Sequence, residues 1–536
     1  MPEYLSPGVY IEEVDRGPKP IEGVGTAMPV FIGFTEKAQL AETVDGETVK
    51  RDVLGLPQLV TNWSQYVERF GGFLEGAYLP HAVYGYFQNG GTRCYVLSIR
   101  TIPKAQTALL NAEGKPQLIV RAKQAGFDGM RLRVKVETPP PAEGEPPAPA
   151  DGGGAPFTLT VEREKKAGGW QTAETVRDIR LTEVALEEGT KQVGVAYKQN
   201  KAPQLIELLI PDVSMPLAEV QPREQQQPLS IETKVLSLPT SSEFQGEVTE
   251  RTGVDGLAAL DDVTMVCVPD LMSTPPGQKL DLNMVKAVQT MVIAHCEQMK
   301  DRVAILDAPP NMSPQQIKKW RMDTTGFDSS YAALYYPWIE IMDPVTNRNI
   351  LIPPSGHMAG IWARSDNTRG VHKAPANEVV RGATGLAVNC TKGEQDTLNP
   401  IGVDCIRAFP GMGIRVWGAR TLASNPAWRY INVRRLFNFV EKSIERGTQW
   451  VVFEPNDPAL WSQVVRDVGS FLSTVWVSGA LFGRTPAEAY YVKCDEELNP
   501  RESRDLGRLI IEIGMCPVKP AEFVIFRISQ WSGPGA

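Results

Sequence analysis

The residues that could do chemistry are few and dispersed. There are four histidines in 536 residues. His357 and His372 share a Gly-rich polar stretch with Ser355, Asp366 and Lys373, yet no partner stands at ligand or triad spacing, so they read as loop or interface histidines. Asp261, Asp262 and Asp270 flank one strand-like run and Asp307 ends another. Carboxylates at the carboxyl ends of parallel strands can hold magnesium. Without a phosphate-binding glycine loop beside them, helix caps and turns explain them better. Gly411-Met412-Gly413 meets Val416 where a dinucleotide fingerprint needs its third glycine, so it reads as a turn. His295-Cys296 lies on a helix face and reads as core packing. GxxxxGK[ST], HExxH and paired CxxC motifs are missing. The expectation is a protein that is not an enzyme, with no catalytic, cofactor-binding or metal residues. Its rival from another class is a metal-dependent α/β enzyme.

Bulk properties narrow the class further. Lys and Arg number 55 against 63 Asp and Glu, a formal charge of -8, which opposes a general nucleic-acid footprint. No apolar run approaches the roughly 20 residues that span a bilayer, so no direct membrane insertion is expected. Met1-Pro2-Glu3-Tyr4 opens neither a basic nor an apolar leader, so no signal peptide is expected. Seven scattered cysteines suit a reducing cytoplasm and argue against a disulfide framework.

The elements that must position these residues alternate between strand and helix. Val30-Phe31-Ile32-Gly33-Phe34 is apolar without alternation, as for a strand covered on both faces. A helix follows from Asn62-Trp63 to Phe70, then a second over 79–88, then a strand at Cys94 to Ile99. The same alternation returns after residue 250, with a strand over 263–268, a helix over 282–299, a strand over 303–306, a helix opened by Ser313-Pro314 and a strand-like stretch over 331–342. The fold class expected is α/β (α+β) multidomain, with a mostly parallel α/β core. Residues 103–250 differ in kind. Alternating segments such as Leu132 to Val136 and Phe157 to Val161 surround a Pro/Gly loop at 138–156, giving an inserted β-rich outer domain. The expected domains are an arm over 1–27, an α/β domain over 28–102 plus 251–400, the insertion over 103–250, a C-terminal α/β domain over 401–516, and an arm strand over 517–536.

The last third carries two amphipathic helices. One runs from Asn425-Pro426 to Arg446 with an apolar stripe of Val433, Leu436, Phe437, Val440 and Ile444; its other side presents Arg429, Arg434, Arg435 and Lys442. That basic side is the one exposed cluster, read either as a solvated face or as a contact for an acidic partner. The second helix starts at Asp457-Pro458 with a stripe from Trp461 to Val475. The two ends are unusual. Val9-Tyr10-Ile11 is a short β-prone run isolated by proline and glycine, unable to bury a face alone. Phe523, Val524, Ile525, Phe526 and Ile528 form a strand apolar on both faces, detached by Pro517 and Pro520. Such a strand either enters its own sheet or is donated to a neighbour's.

In these segments the chain resembles contractile tail sheath proteins of phages and of extracellular contractile injection systems. The matching motifs are Ser6-Pro7-Gly8-Val9-Tyr10-Ile11-Glu12-Glu13, Pro29 to Thr35, Gly256 to Leu260, Pro353 to Gly360 and Asn399 to Val403. Trp417 to Thr421, Tyr430 to Leu436, Phe453-Glu454-Pro455-Asn456 and Lys519 to Val524 complete them. They cover about 1–100 and 250–536; residues 103–250 match nothing. The resemblance implies a structural subunit of a helical homo-oligomer of stacked six-subunit rings around an inner tube, with baseplate and terminal cap proteins at its ends and sister sheath proteins as further partners. It implies inter-subunit strand exchange through Val9, Tyr10, Ile11 and 523–528, and a tube-facing role for Arg429, Arg434, Arg435 and Lys442. It implies assembly in the bacterial cytoplasm and contraction without a cofactor, in a phage-tail-like particle that is then released or membrane-anchored. Tyr430 to Leu436 and the last third are more similar to the injection-system members, with the sheath of a contractile-tailed phage as the alternative.

Overall fold

The computed structural model describes residues 21–44, 47–138, 154–165, 168–185, 191–198 and 201–527. Val9, Tyr10, Ile11, Ile528 and most of the 138–156 loop lie outside them.

An apolar run without alternation is stable as a strand only when both faces are covered. Pro29–Thr35 (β1) meets that condition, with all seven residues buried. It lies within a sheet of eight described strands, the others being Gln58–Val60 (β2), Cys94–Thr101 (β3), Met265–Cys267 (β4), Val303–Asp307 (β5), Ala332–Tyr336 (β6), Val403–Phe409 (β7) and Gly413–Val416 (β8). The spatial order is β8-β7-β6-β5-β4-β1-β3-β2. The six central strands are parallel. The edge strands β2 and β8 run antiparallel to their neighbours. This is the mixed α/β fold that strand–helix alternation dictates.

Helices cross over between the strands. Trp63–Phe70 (α1) and Leu79–Gln88 (α2) join β2 to β3, Leu282–Met299 (α3) joins β4 to β5, and Ser355–Arg369 (α4) follows β6. The side chain of Asn62 accepts the Gln65 N–H at 2.9 Å to start α1, and Gly71 at φ 88° stops it. The expected continuous strand over 331–342 divides instead. Ile339–Met342 pairs with Asn349–Ile352 and Ala383–Leu386 in a separate small sheet, because Pro337 offers no N–H to continue the ladder.

Between β3 and β4, the chain builds two antiparallel sheets. One takes 132–137, 157–164, 170–185, 191–197 and 225–228; the other takes 106–110, 116–122 and 206–209. Leu132, Val134 and Val136 alternate inward with Phe157, Leu159 and Val161. Their buried side chains are continuous with Val30, Ile32 and Phe34 of the α/β sheet, so both share one core. At the root of the insertion, Gln106 and Ser230 exchange backbone hydrogen bonds of 2.9 and 3.1 Å.

The described chain forms two compact units. The first holds 27–364 and 375–429; the second holds 21–26, 365–374 and 430–527. The boundary expected at 401 therefore moves to 430. Residues 401–429 belong to the large sheet because Val403 pairs with Leu334 on β6 and β8 folds back on β7. The second unit is mainly helical rather than α/β.

Two of the carboxylates singled out in the sequence hold this sheet to its helices. Strand addition reverses direction between β1 and β4, and outside the carboxyl ends of such a pair α/β proteins hold their ligands. Here Asp270 fills that crevice. It accepts the Phe34 N–H at 2.6 Å and those of Tyr78 and Leu79 at the start of α2. Gly33 permits the approach, since a Cβ there would stand 2.2 Å from the Asp270 carboxylate. One strand along, Asp307 accepts the Ser355 N–H at 2.8 Å and so caps α4. Burial pushes both carboxyls up to about 7. Nearby Tyr66, Tyr78 and Cys267 are also raised by burial and stay neutral below that pH.

An unfolded aspartate titrates near 4, so between about pH 4 and 7 the folded chain binds more protons than the unfolded one. These two groups make stability fall as pH rises through that window, by at most about 1.4 kcal/mol per pH unit each. Denaturant unfolding at pH 5.5 and 7.5 should show this slope in the parent protein and a shallower one in the Asp270→Asn, Asp307→Asn variant. An identical slope in both refutes the assignment.

Candidate assembly interface

The sequence's chemical candidates do not converge. His357 is buried in α4, packed on Gly85 of α2, and burial pushes its ring down to about 3. His372 is also lowered by burial and lies in the second unit. His295 is buried beside Arg302 at 3.3 Å and is pushed down to about 4. Gly411 and Gly413 sit at φ 74° and 75° in the turn between β7 and β8. Among the described residues, no group of three His, Cys, Asp or Glu side chains is close enough to hold a metal ion.

The second unit has the features of a joint. Ile431–Gly447 (α5) buries Val433, Leu436 and Val440 from its expected stripe. Pro458–Val477 (α6), capped by Asp457 on the Leu460 N–H at 2.8 Å, buries Trp461, Val464, Val468, Phe471, Leu472 and Val475. The two stripes form a core of their own. Beside it, Tyr490–Lys493 (β9) pairs antiparallel with Glu512–Met515 (β10), Tyr490 facing Met515. Among the described residues this sheet has two strands, too few to be stable in water without further pairing or packing.

The expectation of an exposed basic face on α5 is corrected for two of its four residues. Arg434 and Arg435 are buried, at 5% and 4% exposure. Arg434 donates to Asn438 at 2.8 Å and to Glu441 at 3.2 Å. Arg435 grips both oxygens of the equally buried Asp366, at 2.9 and 2.5 Å, and donates to the Thr26 carbonyl at 3.0 Å. A guanidinium on a long stem reaches such partners, and the bidentate geometry offsets its desolvation. Lys442 pairs with Glu445 at 3.2 Å, and Arg429 is half-buried.

The C-terminal segment is held up to one residue and free after it. The Val518 N–H bonds the Ala480 carbonyl at 3.1 Å, Asn432 Nδ2 donates to the Val518 carbonyl at 3.2 Å, and the Tyr430 hydroxyl donates to Glu522 at 2.9 Å. Phe523, Val524, Ile525 and Phe526 then stand between 68% and 83% exposed. Among the described residues, the strand expected from 522 onward is not formed over 523–527. Four consecutive exposed large apolar side chains mark an interaction site. Phe453, between α5 and α6, is likewise fully exposed, at a φ of 72° that costs a phenylalanine on the order of 1 kcal/mol. Sequence reasoning did not single out the exposure of Phe453, the Asp366–Arg435–Thr26 contact or the Tyr430–Glu522 contact. Of these, Phe453 and Tyr430 stand inside matched motifs, the one signal available.

Comparison with known proteins agrees with this geometry. Residues 246–422 match the family model of the phage tail sheath protein central domain, and 423–530 that of the phage tail sheath C-terminal domain. Together they cover more than half of the chain. The tail sheath protein of Vibrio phage KVP40 is 27% identical over 207 residues, 38% of this chain and 30% of that protein. A prophage major tail sheath protein of Pseudomonas aeruginosa strain UCBPP-PA14 is 25% identical over 291 residues, 53% of this chain and 70% of its own length. The sheath of the PVC complex, an extracellular contractile injection system in its contracted state, shares the fold over 99% of both chains, with a TM-score of 0.57 at 22% identity.

Reversing Arg435 to Glu sets a second buried negative charge beside Asp366, at an expected cost of about 3–5 kcal/mol. Lys442→Glu should cost less, because its partner Glu445 is 63% exposed and solvent screens that pair. Chemical denaturation separates the two; equal costs would mean that Arg435 is exposed in solution.

Proposed function

The chain belongs to the contractile tail sheath family, and we propose that it serves an injection-system particle, where it stacks in six-subunit rings around an inner tube and shortens to drive that tube through a target envelope. As a family member it is a structural subunit of a contractile sheath. The observation that carries the finer reading is the segment Phe523–Phe526, apolar and exposed immediately after its anchor at Glu522. In this reading it extends the β9–β10 sheet of a neighbouring subunit, and Val9-Tyr10-Ile11, which lies outside the described residues, is the second segment exchanged between subunits.

The energetics suit a lasting link. Each new ladder hydrogen bond adds a net ~0.5–1.5 kcal/mol, and each large apolar side chain removed from water adds about 1.5–3 kcal/mol. Such links survive while subunits rotate as rigid bodies about the proline- and glycine-containing arm, and a small gain per subunit sums along the lattice. Baseplate and terminal cap proteins close the ends. Of the basic residues, Arg429 and Lys442 remain as tube-facing candidates; Arg434 and Arg435 are committed within the protomer. Assembly takes place in the bacterial cytoplasm. The end-to-end correspondence with an injection-system sheath supports that setting. The phage alternative is favoured by the viral and prophage relatives.

Deletion of 521–536 tests the reading. The truncated protein should remain soluble with an unchanged unfolding midpoint and form no tubes by negative-stain electron microscopy, whereas the full chain, concentrated or co-expressed with its tube protein, forms hollow ridged tubes. Tubes of normal length from the truncation overturn strand donation.

A further inference from the structure

Both arm roots lie on one helix, at its opposite ends. Ile21 packs against Gly447, where a Cβ would stand 2.7 Å from the isoleucine. The Val24 N–H donates to Ser443 Oγ at 3.1 Å, and Gly23 lies under the Phe439 ring. Thr26 reaches the other end of this track, its hydroxyl donating to Asp366 at 2.6 Å and its carbonyl accepting from Arg435 at 3.0 Å. Residues 21–26 therefore run antiparallel to α5, and the chain before Ile21 departs from the helix's carboxyl end. At the amino end, Asn432 and Tyr430 hold Val518 and Glu522, from which Phe523 departs. At about 1.5 Å per residue, the 17 residues of α5 keep the two departures roughly 25 Å apart.

We propose that α5 is the strut that sets the separation and direction of the two arms, and that Arg435, through Asp366, is the positioning residue that locks the N-terminal root onto it. The proposal rests on the sheath reading, because only a subunit linked through both ends needs its two roots at fixed separation. Tension applied through the arms then passes lengthwise along α5, whose backbone hydrogen bonds lie parallel to the load. The root itself is held by a buried bidentate pair that salt screens little. Thr26 is the residue joining that pair to the arm, since it contacts both partners.

The test uses the full chain. Asp366→Asn with Thr26→Val loosens the root, and Val24→Cys with Ser443→Cys restores it covalently under oxidation. Hydrogen exchange of the loosened protein should rise at least tenfold over residues 21–26 while α5 keeps its protection. Particles assembled with tube and baseplate should show at least tenfold fewer full-length sheaths. Oxidised staple in the loosened background should restore both readouts, and reduction should reverse the rescue. Unchanged exchange at the root overturns the lock, and normal sheaths from a loosened root overturn the strut. If the loosened chain fails to fold, the staple in the otherwise native chain decides: normal assembly and contraction support the proposal, and folded but assembly-incompetent protein overturns it. Failure of the sheath reading is distinguishable, because the native chain would then form no sheaths while exchange at the root still reports the lock.

Discussion

Among the described residues, Phe523 to Phe526 stand exposed and the β9–β10 sheet has two strands, packed on one face against the α5–α6 core. A two-stranded ladder leaves backbone donors and acceptors along its edges, and an apolar extended segment in water is costly. Tyr430 and Asn432 hold the segment's root at the amino end of α5. The rest of the unit follows from that constraint. α5 and α6 supply a core on which the sheet packs.

The first unit obeys a different economy. Its parallel sheet has a reversal of strand order between β1 and β4, and the crevice there is filled by Asp270, with Asp307 serving α4 beside it. The chain supplies its own anions to helix starts that in other α/β proteins face a ligand. A carboxylate buried in this way makes the sheet and its helices one rigid piece, which is what a subunit that moves as a body requires.

Much of this was legible in the residues, and the failures share a cause. Non-alternating Val30 to Phe34, the Asn62 cap and the alternating strands of the insertion are local patterns, and local patterns survive tertiary packing. The same patterning treated Arg434 and Arg435 as a solvent face, since an arginine and its partner are invisible to periodicity when 69 residues separate Arg435 from Asp366. The boundary at 401 was misplaced because β7 finds β6 across a long intervening stretch. The apolar run at 523–526 is as apolar as its sequence says, yet among the described residues it stands exposed and forms no strand. Thr26 carried no signal, and Asp366 drew notice only beside His357 and His372, because their contact with Arg435 exists only in the folded chain.

The insertion closes at its root through the reciprocal hydrogen bonds of Gln106 and Ser230. Because the chain leaves and returns at adjacent points, loops far from the root can lengthen, shorten or change composition without altering the spacing of the strands that precede and follow. Changes in those loops and changes in the eight-stranded sheet then fall on separable stretches of the chain.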